Sequence, residues 1–181
     1  MINKILIFSI YFLFVSGCSS TTRNIDKNLT IDEFSMVQFE KNGDKLYSIT
    51  SPKSTFIKDE QIYELDKTKI VFYEENDLNY VINSNKSSLL NNNKNIKLEG
   101  DVNLYDLNNK ENTITANTAF WNIDKSEFIL VGNVILNNNS INLISSKAVL
   151  NKNANVIKFF EPVKYKYLND SSSLNYKVKA D

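Results

Sequence analysis

The chain has no histidine, one cysteine, two prolines and four glycines among its 181 residues. Without histidine there is no Ser-His triad and no imidazole general base. The one cysteine is accounted for below, and no disulfide or thiolate metal site remains. Lys+Arg and Asp+Glu balance at 21 each. No basic field exists to hold nucleic acid by counterion release. No glycine-rich phosphate loop is present. Carboxylates gather only in polar stretches, Glu74-Glu75-Asp77 and Asp59-Glu60, which read as solvated turns. These absences argue against an enzyme and against any cofactor or metal site.

Apolar residues are plentiful, at 42%, enough for a real core. Asparagine is also plentiful, with runs at Asn91–Asn93 and Asn137–Asn139. With so little Gly and Pro, Asn is expected to make many of the turns, because it tolerates the left-handed conformation.

Residues 1–17 read as a lipoprotein signal peptide. Lys4 supplies the positive start, and Ile5–Val15 is an apolar run too short to span a bilayer. Val15-Ser16-Gly17-Cys18 resembles the bacterial lipobox, which makes Cys18 the lipidated first residue of the mature chain. Residues 18–30 are polar and aperiodic, as expected of a tether. Residues 31–181 form the remaining unit.

In that unit apolar and polar residues alternate with period two, the mark of half-buried strands. One motif repeats. Ile96-x-Leu98-x-Gly100-x-Val102-x-Leu104 returns as Phe128-x-Leu130-x-Gly132-x-Val134-x-Leu136, offset by 32 at every position. It returns again, offset by 29, as Ile157-x-Phe159-x-Glu161-x-Val163-x-Tyr165. A degraded copy starts at Tyr63-x-Leu65 and slips by one residue before Ile70 and Phe72. A second motif lies between these. Ile49-x-Ser51-x-x-Ser54-x-Phe56 matches Ile82-x-Ser84-x-x-Ser87-x-Leu89, Ile114-x-Ala116-x-x-Ala119-x-Trp121 and Leu143-x-Ser145-x-x-Ala148-x-Leu150.

The glycines predict a bend, a bulge or a close approach inside each strand. Small residues three apart break the period of two, so the side-chain phase switches there. Each unit is therefore two strands with a bend in each. Asp106–Glu111 and Asn137–Asn139 read as hairpin loops. The expected fold is all-β: two antiparallel sheets of repeated strand pairs facing one another, with bare edges at both ends. Lys158, Lys164 and Lys166 alternate with aromatic and apolar residues. They read as a solvent face, or as a basic face for anionic head groups. Phe120-Trp121 puts a large ring on each face of one strand, one of them in the core.

The tract Gly43-x-Lys45-Leu46-Tyr47-x-Ile49-x-Ser51-Pro52, followed by the repeated Ile-x-Leu-x-Gly-x-Val copies, resembles lipopolysaccharide export proteins of the LptC type, within the OstA-like group. The likeness covers roughly residues 34–168. It implies a periplasmic protein held at a membrane, the inner one by the family's habit. It also implies an open two-sheet β-jellyroll, OstA-like, whose sheets would enclose lipopolysaccharide acyl chains in an apolar groove. The implied partners are lipopolysaccharide, the inner-membrane ABC transporter of the LptB/F/G type, and an LptA-like bridge protein. Many such proteins carry a transmembrane helix where this chain has a lipobox.

On this reading the groove candidates are Leu98, Val102, Leu104, Phe128, Leu130, Val134, Ile157, Phe159 and Val163. The partner-edge candidates are Phe34, Met36 and Gln38 on the first strand, and Leu174, Tyr176 and Val178 on the last. The alternative is a structural or adhesive surface lipoprotein with a closed core. A glycan-processing solenoid would need clustered carboxylates on one face, which the repeats do not offer.

Overall fold

The computed structural model describes residues 28–75, 77–90, 93–151, 156–160, 163–167 and 177–180, the last four in backbone only. The signal peptide, Cys18 and most of the tether lie outside these residues. The strands are β1 (Asn28–Phe39), β2 (Lys45–Ile57), β3 (Ile62–Glu74), β4 (Asp77–Leu90), β5 (Asn95–Asp106), β6 (Thr113–Asn122), β7 (Glu127–Asn137), β8 (Ile141–Asn151), β9 (Val156–Phe160), β10 (Lys164–Tyr167) and β11 (Lys177–Ala180). From β1 to β9 each strand pairs antiparallel with the next.

Two expectations are refined. The two sheets are one hydrogen-bonded sheet, in the order β1 to β9 and then β11, bent across itself. The bending shows in the side chains. Tyr47 of β2 meets Trp121 of β6 at 4.9 Å between ring centroids, and Phe72 of β3 meets Phe128 of β7 at 5.9 Å. Those strands do not pair, so two layers face one another across the rings. The last strand also differs. β11 joins β9 in parallel, with Val178 opposite Ile157. Sixteen residues separate Phe160 from Lys177, enough chain to return and run the same way.

The bends sit at the motif glycines and small residues. Register shifts fall between Asn83 and Lys86, Glu99 and Val102, and Val131 and Val134. Gly100 and Asp101 have φ of 72° and 49°; Gly132 and Asn133 have 78° and 48°. Two left-handed residues form each bulge and return the apolar alternation to the same face. In β3 a single left-handed residue, Lys67 at φ 48°, does this work. Thr68 then takes the place of the motif valine, which explains the slip of one residue. In the third copy the strand is broken outright. β9 pairs with the far half of β8, and β10 pairs with its near half. The sequence between them is Glu161-Pro162-Val163, and proline cannot supply a ladder donor.

Asparagine does shape the hairpins, mostly through its side chain. Asn42 Oδ1 accepts from the Asp44 amide at 3.0 Å, Asn122 Oδ1 from Lys125 at 2.9 Å, and Asn138 Oδ1 from Ser140 and Ile141 at 2.8 and 2.9 Å. The left-handed hairpin positions go to Gln61, Glu75 and Ser126 as well as Asn93.

Candidate lipid-binding interior and docking edges

Residues opposite each other on paired strands share a face. The register therefore assembles the interior row by row. One row runs Ile31, Ser54, Leu65, Ser87, Leu98, Ala119, Leu130, Ala148, Phe159 from β1 to β9. Large and small side chains alternate along it. This is the reason for the second small residue of the repeat. On the concave side of a bent sheet the side chains crowd, and every second position gives up volume. A parallel row runs Met36, Ile49, Ile70, Ile82, Leu104, Ile114, Leu136, Leu143 and ends on Tyr165 of β10.

The first small residue has a different task. Ser51 Oγ donates to the carbonyls of Lys53 and Asp66, both at 2.6 Å. Ser84 Oγ reaches the Lys86 carbonyl at 3.0 Å. Ser145 Oγ reaches that of Lys147 at 2.9 Å, and that of Phe160. These hydroxyls serve carbonyls that a bulge takes out of the ladder. Ala116 holds the same position without a hydroxyl.

All nine groove candidates face this interior, and eight are closed off from solvent. Leu98, Val134, Ile157 and Phe159 are 0% exposed, and Leu104, the most open of the eight, is 6%. Val163 is half-buried against the same core. Trp121 lies buried, stacked on Phe128 at 5.2 Å and 11°, while Phe120 points outward at 42% exposure. The reading of Phe120-Trp121 as one core ring and one surface ring holds. Ile70, Phe72 and Ile82, which the repeats contain but which were not among the groove candidates, complete the interior.

Burial fades toward both ends of the sheet. Leu29 on β1 is 60% exposed and Tyr165 on β10 is 65% exposed, although both continue interior rows. Phe34 and Met36 on β1 are half-buried, with Phe34 5.5 Å from Tyr63; Gln38 is exposed. A hollow of about 390 Å³ opens here, lined by Phe34, Ser35, Thr50, Ser51 and Pro52 among others. β1 pairs only with β2, so its other edge carries no strand among the described residues. At the far end β11 covers β9, and it is Val178 that takes part. Leu174 and Tyr176 lie outside the described residues.

Burial of Tyr47, aided by the negative charge of Asp124, pushes its phenol above the ordinary value of 10.0. No helix among the described residues is long and apolar enough to cross a membrane.

An apolar interior enclosed by one bent, unclosed antiparallel sheet defines a class of protein: the open β-jellyroll. The chain belongs to a family within that class, for residues 2–168 match the family described as Lipopolysaccharide-assembly, LptC-related. The family's role is lipopolysaccharide transport, in the periplasm and in association with the inner membrane. No curated protein matches the chain.

Proposed function

We propose that this protein takes lipopolysaccharide acyl chains between its two layers and passes them along paired jellyroll edges. It would receive them from the inner-membrane transporter of the LptB/F/G type and hand them to an LptA-like bridge protein. Acylation of Cys18 would hold it at the periplasmic face of a membrane. The observation that carries this reading is the run of the interior rows to exposed apolar residues at both ends, one of them on β1, whose outer edge carries no strand among the described residues.

The closed middle of the interior sets a condition on the proposal. Admitting a chain means parting the layers around a few side chains such as Leu98, Leu130 and Phe159. Each fully buried side chain of this kind contributes ~1.5–3 kcal/mol, and each buried CH₂ of a lipid ~0.8 kcal/mol. An acyl chain of about a dozen methylenes thus offsets the exposure of several residues, both sums being on the order of 10 kcal/mol. Acyl chains would replace packing contacts rather than fill a standing cavity.

A photocrosslinking amino acid at Phe34, Leu98, Leu130 or Phe159, in cells making lipopolysaccharide, should capture lipopolysaccharide. Mass spectrometry of the same preparation reads acylation of Cys18. The near-zero exposure of eight groove candidates favours a second reading, a closed-core surface lipoprotein. Absence of lipid adducts at all four positions would select that reading.

A further inference from the structure

The outward face of the sheet changes character halfway across. Its first half is a charge ladder: Lys53 lies opposite Asp66, Asp66 opposite Lys86, and Lys86 opposite Glu99. Each charge faces its opposite. Beyond β5 the same row becomes Thr118, Val131, Lys147 and Phe160. The neighbouring row runs Lys97, Phe120, Ile129, Val149, Lys158. A third ends Ile135, Ile144, Lys164. Phe120, Val131 and Ile144 are 42%, 39% and 42% exposed. Outward positions on β6–β10 carry Lys147, Lys158, Lys164 and Lys166 against Glu127 among the described residues. The ammonium groups of Lys147 and Lys158 sit 5.2 and 5.4 Å from the Phe160 ring centre.

We infer that the outer face of β6–β10 lies on an anionic lipid surface. Apolar rows bordered by lysines are what an anionic interface selects. Short apolar side chains enter the head-group region, and the long lysine stems keep their ammonium groups among the phosphates. In the other half the lysines of the central row face carboxylates, and the outward apolar residues Val37, Val71, Val81 and Tyr105 lie in a row toward one end of the strands. The position of the tether agrees. Thr30, near the start of β1, shares its cross-strand row with Phe120, Ile129 and Val149 through Thr55, Glu64, Ser88 and Lys97. The chain therefore enters the domain at the level of this patch along the strands, on β1, five strands from β6. The ten residues from Cys18 to Asn28 reach at most ~35 Å. This inference rests on the membrane-held reading above but needs no occupant in the interior.

The test places an environment-sensitive fluorophore, carried by a non-natural amino acid, at residue 129, with a control at residue 69 on the charge-paired half. The full chain is reconstituted on phosphatidylethanolamine vesicles containing phosphatidylglycerol. A blue shift at 129 and none at 69 is expected. It should be lost on phosphatidylcholine vesicles, in 1 M salt where the screening length is ~3 Å, and in the double variant Lys147→Glu, Lys158→Glu. Four results each overturn the inference: equal shifts at both positions; no shift at 129; a shift that grows with protein concentration without vesicles, which marks a second copy; or a shift that appears only with a protein partner added. Co-flotation of the wild-type and Cys18→Ser chains reads the anchor separately, so failure of the anchor and failure of the patch are distinguishable.

Discussion

At the scale of single residues, the motif glycines answer to two constraints at once. Gly132 has φ +78°, and a Cβ built there would come within 2.8 Å of the Asn117 amide nitrogen. Gly100 has φ +72° and a looser approach, 3.1 Å to Asn85. An L side chain in this region costs ~1–2 kcal/mol, and displacing the asparagine adds to it. Gly132→Ala should therefore lower Tm by more than Gly100→Ala. The expected scale is ~2–4 °C per kcal/mol for a chain of this size. Asn117→Ala should recover part of the loss in the first case, because it removes the nearest atom and leaves the Cβ contact at 3.2 Å and the backbone strain. Calorimetry of the three variants checks this; equal shifts for both glycines would reject the steric part. The sequence marked these glycines as bends or close approaches. It did not show which side chain approaches, since Asn85 and Asn117 become neighbours only through the register.

At the scale of elements, the outer strands carry the functional argument. β1 has twelve residues and, among the described residues, a single neighbour. In an antiparallel edge, successive residues direct their N–H groups alternately toward the neighbour and outward. Val37 and Gln38 are exposed and adjacent, opposite Ser48 and Tyr47. Of Val37→Pro and Gln38→Pro, one should break a bond to β2 and lower stability. The other should keep its unfolding curve and remove an outward donor. If the transporter docks on this edge, the fold-preserving variant should bind it about tenfold more weakly, as expected for a net loss near 1.4 kcal/mol. Pull-down of the transporter alongside urea unfolding separates the two. Unchanged capture by the stable variant would move the docking site elsewhere. The strand repeats and both hairpin loops were legible in the sequence, because alternation and glycine spacing are local. The parallel return of β11 was not, because pairing between distant segments leaves no periodic trace.

At the scale of the whole molecule, two layers of one sheet are joined by a ring cluster. Tyr47 stands edge-on to Trp121, and Phe72 meets both Trp121 and Phe128. The phenol of Tyr47 titrates higher in the folded state than in the unfolded chain, chiefly through burial. The folded state thus holds this proton more tightly. Stability from it is complete below about pH 10 and is lost as pH rises through the folded value. Urea unfolding between pH 8 and 11 should show a fall in stability above pH 10 that Tyr47→Phe reduces. An identical pH profile for the variant would detach the phenol from the closure of the layers. The sequence by itself determined the strand units, their bends, the shared face of the repeated apolar positions and the phase switch at the small residues. All of these follow from backbone periodicity and side-chain size. Only the tertiary structure decided that the strands form one bent sheet, that the groove candidates pack shut, and that the outer face divides into a charge-paired half and an apolar, basic half. Those outcomes depend on register across distant strands, and register is the sum of many pairings that no single stretch of chain contains.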